Sequence, residues 1–233
     1  MKIFSKFDYF SKTEKFLWVI SVFFIISSFL IFDRVNYMTL TASLIGVTAL
    51  IFCAKGNPFG QVLMIIFSAF YGYISYGFRY YGEMMTYVGM SGPMALVSLI
   101  TWLRNPYEKN KSEVKVNTLR FKDIIYMLIF TTIVTIVFYY ILKFFNTANL
   151  KISTFSITTS FMAVYLTARR SEYFALAYAI NDIVLIGMWI LATLENISYL
   201  SVIICFIVFL ANDIYSFYNW KKMKKRQQMA SKV

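Results

Sequence analysis

Residues 168–188, ARRSEYFALAYAINDIVLIGM, restate in outline what residues 54–74, AKGNPFGQVLMIIFSAFYGYI, have spelled 114 positions earlier. Each copy opens with Ala and a basic residue and then enters a long apolar run. Each follows a hydroxyl-rich segment, TLTASLIGVT at 39–48 and STFSITTS at 153–160. Each also precedes a run that closes on Trp and basic residues, ITWLRN at 100–105 and FYNWKK at 217–222. Identity between the copies is low, but the shared order of features points to an internal repeat, a common building plan for membrane carriers.

The chain around these copies is made for lipid. Of 233 residues 59% are hydrophobic and 15% charged, and the mean hydropathy is +0.63. A soluble domain of this size needs more polar surface to cover its core. A hydrocarbon layer takes roughly 20 apolar residues per helix, and windows of that kind fall at 16–32, 38–54, 59–80, 83–102, 123–145, 152–168, 172–194 and 197–219. Lipid offers the backbone no hydrogen-bond partner, so each is expected to be a helix. The expected fold is therefore an all-α polytopic membrane protein with eight transmembrane helices. Residues 1–35 form a tail and an extra helix, 36–106 a first three-helix repeat, 107–150 a basic loop and linker helix, 151–222 a second three-helix repeat, and 223–233 a basic tail. Three helices reverse the chain's direction and one linker restores it, so the repeats are parallel, about an axis normal to the membrane, with a path between them.

Charge orients this plan. If both termini share a side, that side holds all of the 23 Lys and Arg residues except Arg34, Arg79, Lys143 and Lys151. This positive-inside bias puts both termini in the cytoplasm of a cell-membrane protein and accounts for the net charge of +12 without nucleic acid. The first apolar run is long and lacks a convincing cleavage site, so a retained helix is expected rather than a signal peptide. Cys53 and Cys205 lie in or beside apolar spans and read as small hydrophobes. The absence of histidine removes b-type haem ligation, His-based zinc sites and His-dependent catalysis together. With no P-loop and no long soluble loop, neither an enzyme nor a resident metal or cofactor is expected.

Polar groups at membrane depth usually face a cavity or a partner helix. Asn181 and Asp182 fall near the middle of the seventh span, and Tyr178, Leu185 and Trp189 share a face with Asp182 at helical spacing. In the last span Asn212, Tyr215, Ser216 and Asn219 form a stripe, from which Asp213 diverges. Ser68, Tyr71 and Ser75 make a milder stripe in the third span, with Gln61 near its end. GMSGPM at 89–94 predicts a kink or close packing in the fourth span, because Pro93 removes a backbone hydrogen bond. Trp102 and Trp220, beside basic residues, read as interfacial anchors.

The pieces ITWLRNP, ARRSEYFALAYAINDIVLIGMWI and NDIYSFYNWKK together resemble the PnuC-type transporters, the nicotinamide riboside transporter family, over about residues 36–222. That family's three-plus-one-plus-three plan, related to the SWEET sugar transporters, is similar to the one read from the repeat. The resemblance implies facilitated diffusion of an unphosphorylated vitamin precursor, most often nicotinamide riboside, with alternating access, cytoplasmic trapping by phosphorylation and a homotrimeric assembly. Thiamine, riboflavin or a nucleoside are the alternative cargoes, and a non-transporting assembly or receptor subunit is the alternative from another class. The family's site falls on Asn181, Trp189, Asn212 and Tyr215. The residues themselves add Asp182, Tyr178, Ser68 and Tyr71, and Asp182 supplies a counter-charge for the cationic ring of nicotinamide riboside or thiamine. Where the family is often Trp-rich, this chain has Tyr173 and Tyr178, which bears on the cargo.

Overall fold

The computed structural model describes residues 9–77, 81–107, 112–194 and 196–230; Arg79 lies outside them. The helices among these residues are α1 (Lys12–Phe32), α2 (Tyr37–Ala54), α3 (Phe59–Gly77), α4 (Tyr81–Thr86), α5 (Gly92–Arg104), α6 (Phe121–Phe144), α7 (Leu150–Ala168), α8 (Phe174–Thr193) and α9 (Leu200–Ala230). A π-helical turn at Tyr87–Ser91 joins α4 to α5, and a 3-10 turn at Ile197–Tyr199 leads into α9. The π turn lies where the Gly- and Pro-containing stretch predicts a kink: Gly92 N–H reaches back five residues to Tyr87 O, and Pro93 follows in the first turn of α5. Between described residues the only bridges of β type are the isolated pairs Pro106–Val114 and Asn117–Ser171.

Among the described residues seven stretches are long and apolar enough to cross a bilayer, with Tyr81–Arg104 counted as one. The other long helix is α7, which Ser153, Thr154, Ser156, Thr158, Thr159 and Ser160 make less apolar. Its hydroxyls are satisfied largely within the helix: Thr154 Oγ1 donates to Leu150 O (2.7 Å) and Thr158 Oγ1 to Thr154 O (3.1 Å). Such bonds let a hydroxyl-rich helix pack inside an apolar bundle without stranding donors.

The two sequence copies fold alike at their entries. Helix α2 ends with Gly56 N–H on Cys53 O (2.9 Å) and Asn57 N–H on Phe52 O (3.0 Å). Helix α7 ends with Arg170 N–H on Thr167 O (2.9 Å) and Ser171 N–H on Leu166 O (3.0 Å), the same closure at the same offset. Gly56 and Arg170 both take the left-handed conformation that this closure needs, with φ of 66° and 56°. The next turn repeats too: Phe59 N–H donates to Asn57 Oδ1 (2.9 Å) and Tyr173 N–H to Ser171 Oγ (3.2 Å).

The last helix of each copy leans on the first helix of the other, α9 on α2 and α5 on α7. Residues 112–120, which lead into α6, cross both copies as a strap. Val114 N–H donates to Gly56 O (2.9 Å) and Asn117 N–H to Arg170 O (2.9 Å). Gln227 of α9 pins the strap, its Nε2 donating to Val114 O (3.0 Å) and its Oε1 accepting from Val116 N–H (2.8 Å). Ion pairs gather at this end of the bundle: Lys55 with Glu14 (3.2 Å), Lys224 with Glu172 (2.7 Å), Arg169 with Asp123 and Arg226 with Glu113.

Trp102 and Trp220 are not interfacial anchors. They are 1% and 0% exposed and touch each other at 5.3 Å between ring centroids. Helix α9 continues past Trp220 to Ala230 and still buries Met223 and Gln227. The lysines after Trp220 therefore mark the surface of a protein layer, not the depth of the Trp.

Candidate functional site

Between the two copies lies a cavity of about 150 Å³, walled by α2, α3, the α4–α5 span, α7, α8 and α9, with Leu142 of α6 and Thr147 at its edge. Gly46 of α2 allows its wall to form, because a Cβ there would stand 2.7 Å from Phe209 Cζ and 2.8 Å from Phe67 Cε2. Aromatic rings make much of the surface. Tyr71 packs on Phe67 at 4.7 Å and on Tyr87 at 5.0 Å between centroids, while Trp189 meets Tyr199 at 5.3 Å.

Of the residues singled out in the sequence, the structure brings Ser68, Tyr71, Tyr178, Asn181, Asp182 and Trp189 to this cavity, together with Gln61. Asn181 Oδ1 accepts from Thr159 Oγ1 (2.8 Å) and Ser160 Oγ (2.9 Å) of α7. With its oxygen so held, the NH2 is the group Asn181 has left to offer a ligand. Asp182 faces Asp213 of α9, the two carboxyl groups within hydrogen-bonding reach of each other and 4% and 2% exposed.

Asn212 and Tyr215 are not brought there. Asn212 Nδ2 donates to Ser21 Oγ of α1 (2.9 Å) and to Val208 O (2.8 Å), and Tyr215 OH donates to Glu14 Oε1 (3.1 Å). Successive helical residues point about 100° apart, so once the face of α9 bearing Asn212, Tyr215 and Ser216 turns to α1, Asp213 is the residue turned to the cavity. Tyr87, Glu83 and Asp213 line the cavity without having been counted as site residues. For Tyr87 the nearby GMSGPM was the available signal; for Glu83, at a span's edge, there was none.

Below the cavity an aromatic plug closes the end that carries the strap. Trp220 lies 4.7 Å from Phe174 and Trp102 6.4 Å from it, between centroids. Trp102 Nε1 donates to Thr167 O (2.9 Å), and Trp220 Nε1 donates to Cys53 O (2.8 Å). Cys53 and Thr167 occupy matching places in the two copies, so each Trp closes the helix end of the copy to which it does not belong.

A bundle of membrane-long helices enclosing a partly polar, aromatic-walled chamber is the build of a multi-pass transporter of small solutes. Residues 36–222 match the family model described as nicotinamide mononucleotide transporter, and the chain belongs to that family. It is therefore a transporter and not an enzyme. It is 24% identical over 215 residues to the nicotinamide riboside transporter PnuC of Neisseria mucosa, covering 90% of this chain and 81% of the relative. It is 22% identical over 192 residues to the nicotinamide riboside transporter PnuC of Haemophilus influenzae, covering 82% of each. A crystal structure described as the vitamin B3 transporter PnuC superposes with a TM-score of 0.79 over 94% of both chains at 22% identity, a likeness of fold.

Proposed function

We propose that this chain carries nicotinamide riboside across the cell membrane by facilitated diffusion, the two three-helix units α2–α5 and α7–α9 rocking about the cavity, with α6 as linker and α1 as an extra helix. The observation that carries the reading is the chemistry of the cavity wall. It combines aromatic faces with the Asp182–Asp213 pair, and among the described residues that line it none is Lys or Arg. A cationic pyridinium ring on an uncharged ribose suits such a wall through Coulomb and cation–π attraction. A mononucleotide does not, because its phosphate would meet carboxyls and no basic partner. Both relatives are named as transporters of the riboside, in agreement with this reading.

Parallel repetition of the halves is supported by the matched closures of α2 and α7 and by the crossed Trp bonds. An eight-span count, with α7 as the eighth, follows from the same pairing of α7 with α2. Both termini are assigned to the cytoplasm because the basic clusters gather at the strap end. Trapping by a cytoplasmic kinase and a homotrimeric assembly complete the proposal. Asn181, Tyr178, Trp189, Ser68 and Tyr71 are assigned as cargo-contacting residues beside Asp182.

Counterflow in proteoliposomes tests this. Vesicles loaded with nicotinamide riboside are expected to accumulate the radiolabelled riboside transiently, and equal loading with nicotinamide mononucleotide to give no overshoot. Exchange of thiamine or riboflavin but not of the riboside would reassign the cargo.

A further inference from the structure

The two copies differ in charge at two matching positions on the cavity wall. Asp182 matches Ser68 in the repeat, and Asp213, seven residues before Trp220, matches Ala95, seven before Trp102. All four line the cavity. One half thus presents a small hydroxyl and a methyl, while the other presents two carboxyl groups in hydrogen-bonding contact. A hydrogen bond between two carboxyls needs a proton, and two buried carboxylates at contact do not both stay ionised.

Among the described residues lining the cavity, none supplies a counter-charge. The titratable groups facing the pair are Tyr178 on α8, Tyr87 on the π turn, Cys53 on α2 and Cys205 on α9, with Tyr71 and Glu83 further round the wall. None of these is a cation. Among the described residues Asp182 Oδ2 and Asp213 Oδ1 have no hydrogen-bond partner, and neither has Ser98 Oγ, a 1% exposed group from α5 on the same cavity wall. Buried polar atoms left open on a cavity wall are the pattern of a site awaiting a ligand.

We propose that Asp182 and Asp213 act as one proton-sharing unit carrying a single negative charge, and that this unit makes the cavity select a monocationic solute over a neutral one of the same shape. The proposal rests on the riboside-transport reading and adds Asp213 as a specificity-determining residue. It makes an unusual demand of the variants. Asn has the shape of a protonated Asp and can donate to the remaining carboxylate, so either single Asn substitution preserves one negative charge, and only the double substitution removes it.

The full chain in proteoliposomes provides the test, with counterflow of radiolabelled nicotinamide riboside competed by unlabelled riboside or by its 1,4-dihydro form, whose ring is uncharged. The wild type is expected to favour the cationic competitor by about tenfold or more. Asp182→Asn and Asp213→Asn should each keep that ratio within about threefold, and Asp182→Asn/Asp213→Asn should bring it near one. Asp182→Ser/Asp213→Ala, which installs the residues of the other half, should do the same and serves if the double Asn protein fails to fold, as judged by size exclusion in detergent. A single Asn variant that alone collapses the ratio, a folded double variant that keeps it, or a collapse produced by Glu83→Gln would each overturn the proposal. Wild-type vesicles that exchange the riboside but show a ratio near one would overturn it while leaving the transport reading intact. Vesicles that exchange no riboside at all would instead overturn the transport reading and this proposal with it.

Discussion

Replacing either plug tryptophan by phenylalanine should cost about the same stability, because the two side chains make equivalent bonds. Trp220→Phe removes the Nε1–H bond to Cys53 O (2.8 Å), and Trp102→Phe removes the bond to Thr167 O (2.9 Å). Neither acceptor is orphaned, since Cys53 O also accepts from Gly56 N–H and Thr167 O from Arg170 N–H, both at 2.9 Å. The loss is then one net hydrogen bond, about 0.5–1.5 kcal/mol, plus about 1 kcal/mol or somewhat less for the part of the indole that phenyl does not fill. A total near 1–2 kcal/mol corresponds to a fall in Tm of about 2–8 °C for a chain of this size. The rings are in contact at 5.3 Å, so the double variant should depart from additivity by about 0.5 kcal/mol or more. Thermal unfolding of detergent-purified protein, followed by loss of the monodisperse size-exclusion peak, reads all three. A neutral Trp220→Phe beside a severe Trp102→Phe, or strict additivity, would refute the equivalence of the two closures.

Gly56→Ala should destabilise by about 1–2 kcal/mol, because Gly56 holds a φ of 66° and an added Cβ would meet Met223 Cε at 3.0 Å. Arg170→Gly at the matching left-handed position should stabilise by roughly 1 kcal/mol, and a Tm that falls instead would show that the Arg170 side chain outweighs its backbone strain. Gly46→Ala should lower Tm and slow uptake together, since its methyl group would push on Phe67 and Phe209 at the cavity wall; an overpacking cost of about 1–3 kcal/mol is expected. Asn212→Ala should cost about 1–2 kcal/mol through the lost bond to Ser21 while leaving the riboside KM within about twofold. A large rise in KM at unchanged Tm would return Asn212 to the cargo site.

The helical membrane fold was legible because hydropathy and the Ala–basic openings of residues 54 and 168 survive low identity, being demands of lipid and of turn geometry. The exact membrane count was less legible, as α7 carries the hydroxyls that make a hydropathy reading ambiguous. Within the site, Asp182, Asn181, Tyr178 and Trp189 reach one cavity because they share one helix and one face. The choice between Asn212 and Asp213 turned on the rotational setting of α9, which α1 decides through Ser21 and Glu14. Those contacts join residues about 190 to 200 positions apart in sequence, beyond the reach of local periodicity. The burial of Trp220 escapes a sequence reading for a related reason: adjacent lysines mark a bilayer interface only when no protein lies beyond them.

For the proposed rocking of the two halves, the strap sets a mechanical limit. Its two anchoring amides, on Val114 and Asn117, are three residues apart, and three residues of fully extended chain reach about 10 Å. While both bonds hold, the ends of α2 and α7 are on a short leash, and the halves cannot part at that end by sliding away from each other. They can swing about it as a fulcrum, so the far mouth of the chamber is the one free to gape. In the proposed cycle, admitting solute at the leashed end means breaking the bond to Gly56 O or to Arg170 O, so the amides of Val114 and Asn117 should exchange hydrogen faster during turnover than in the resting carrier.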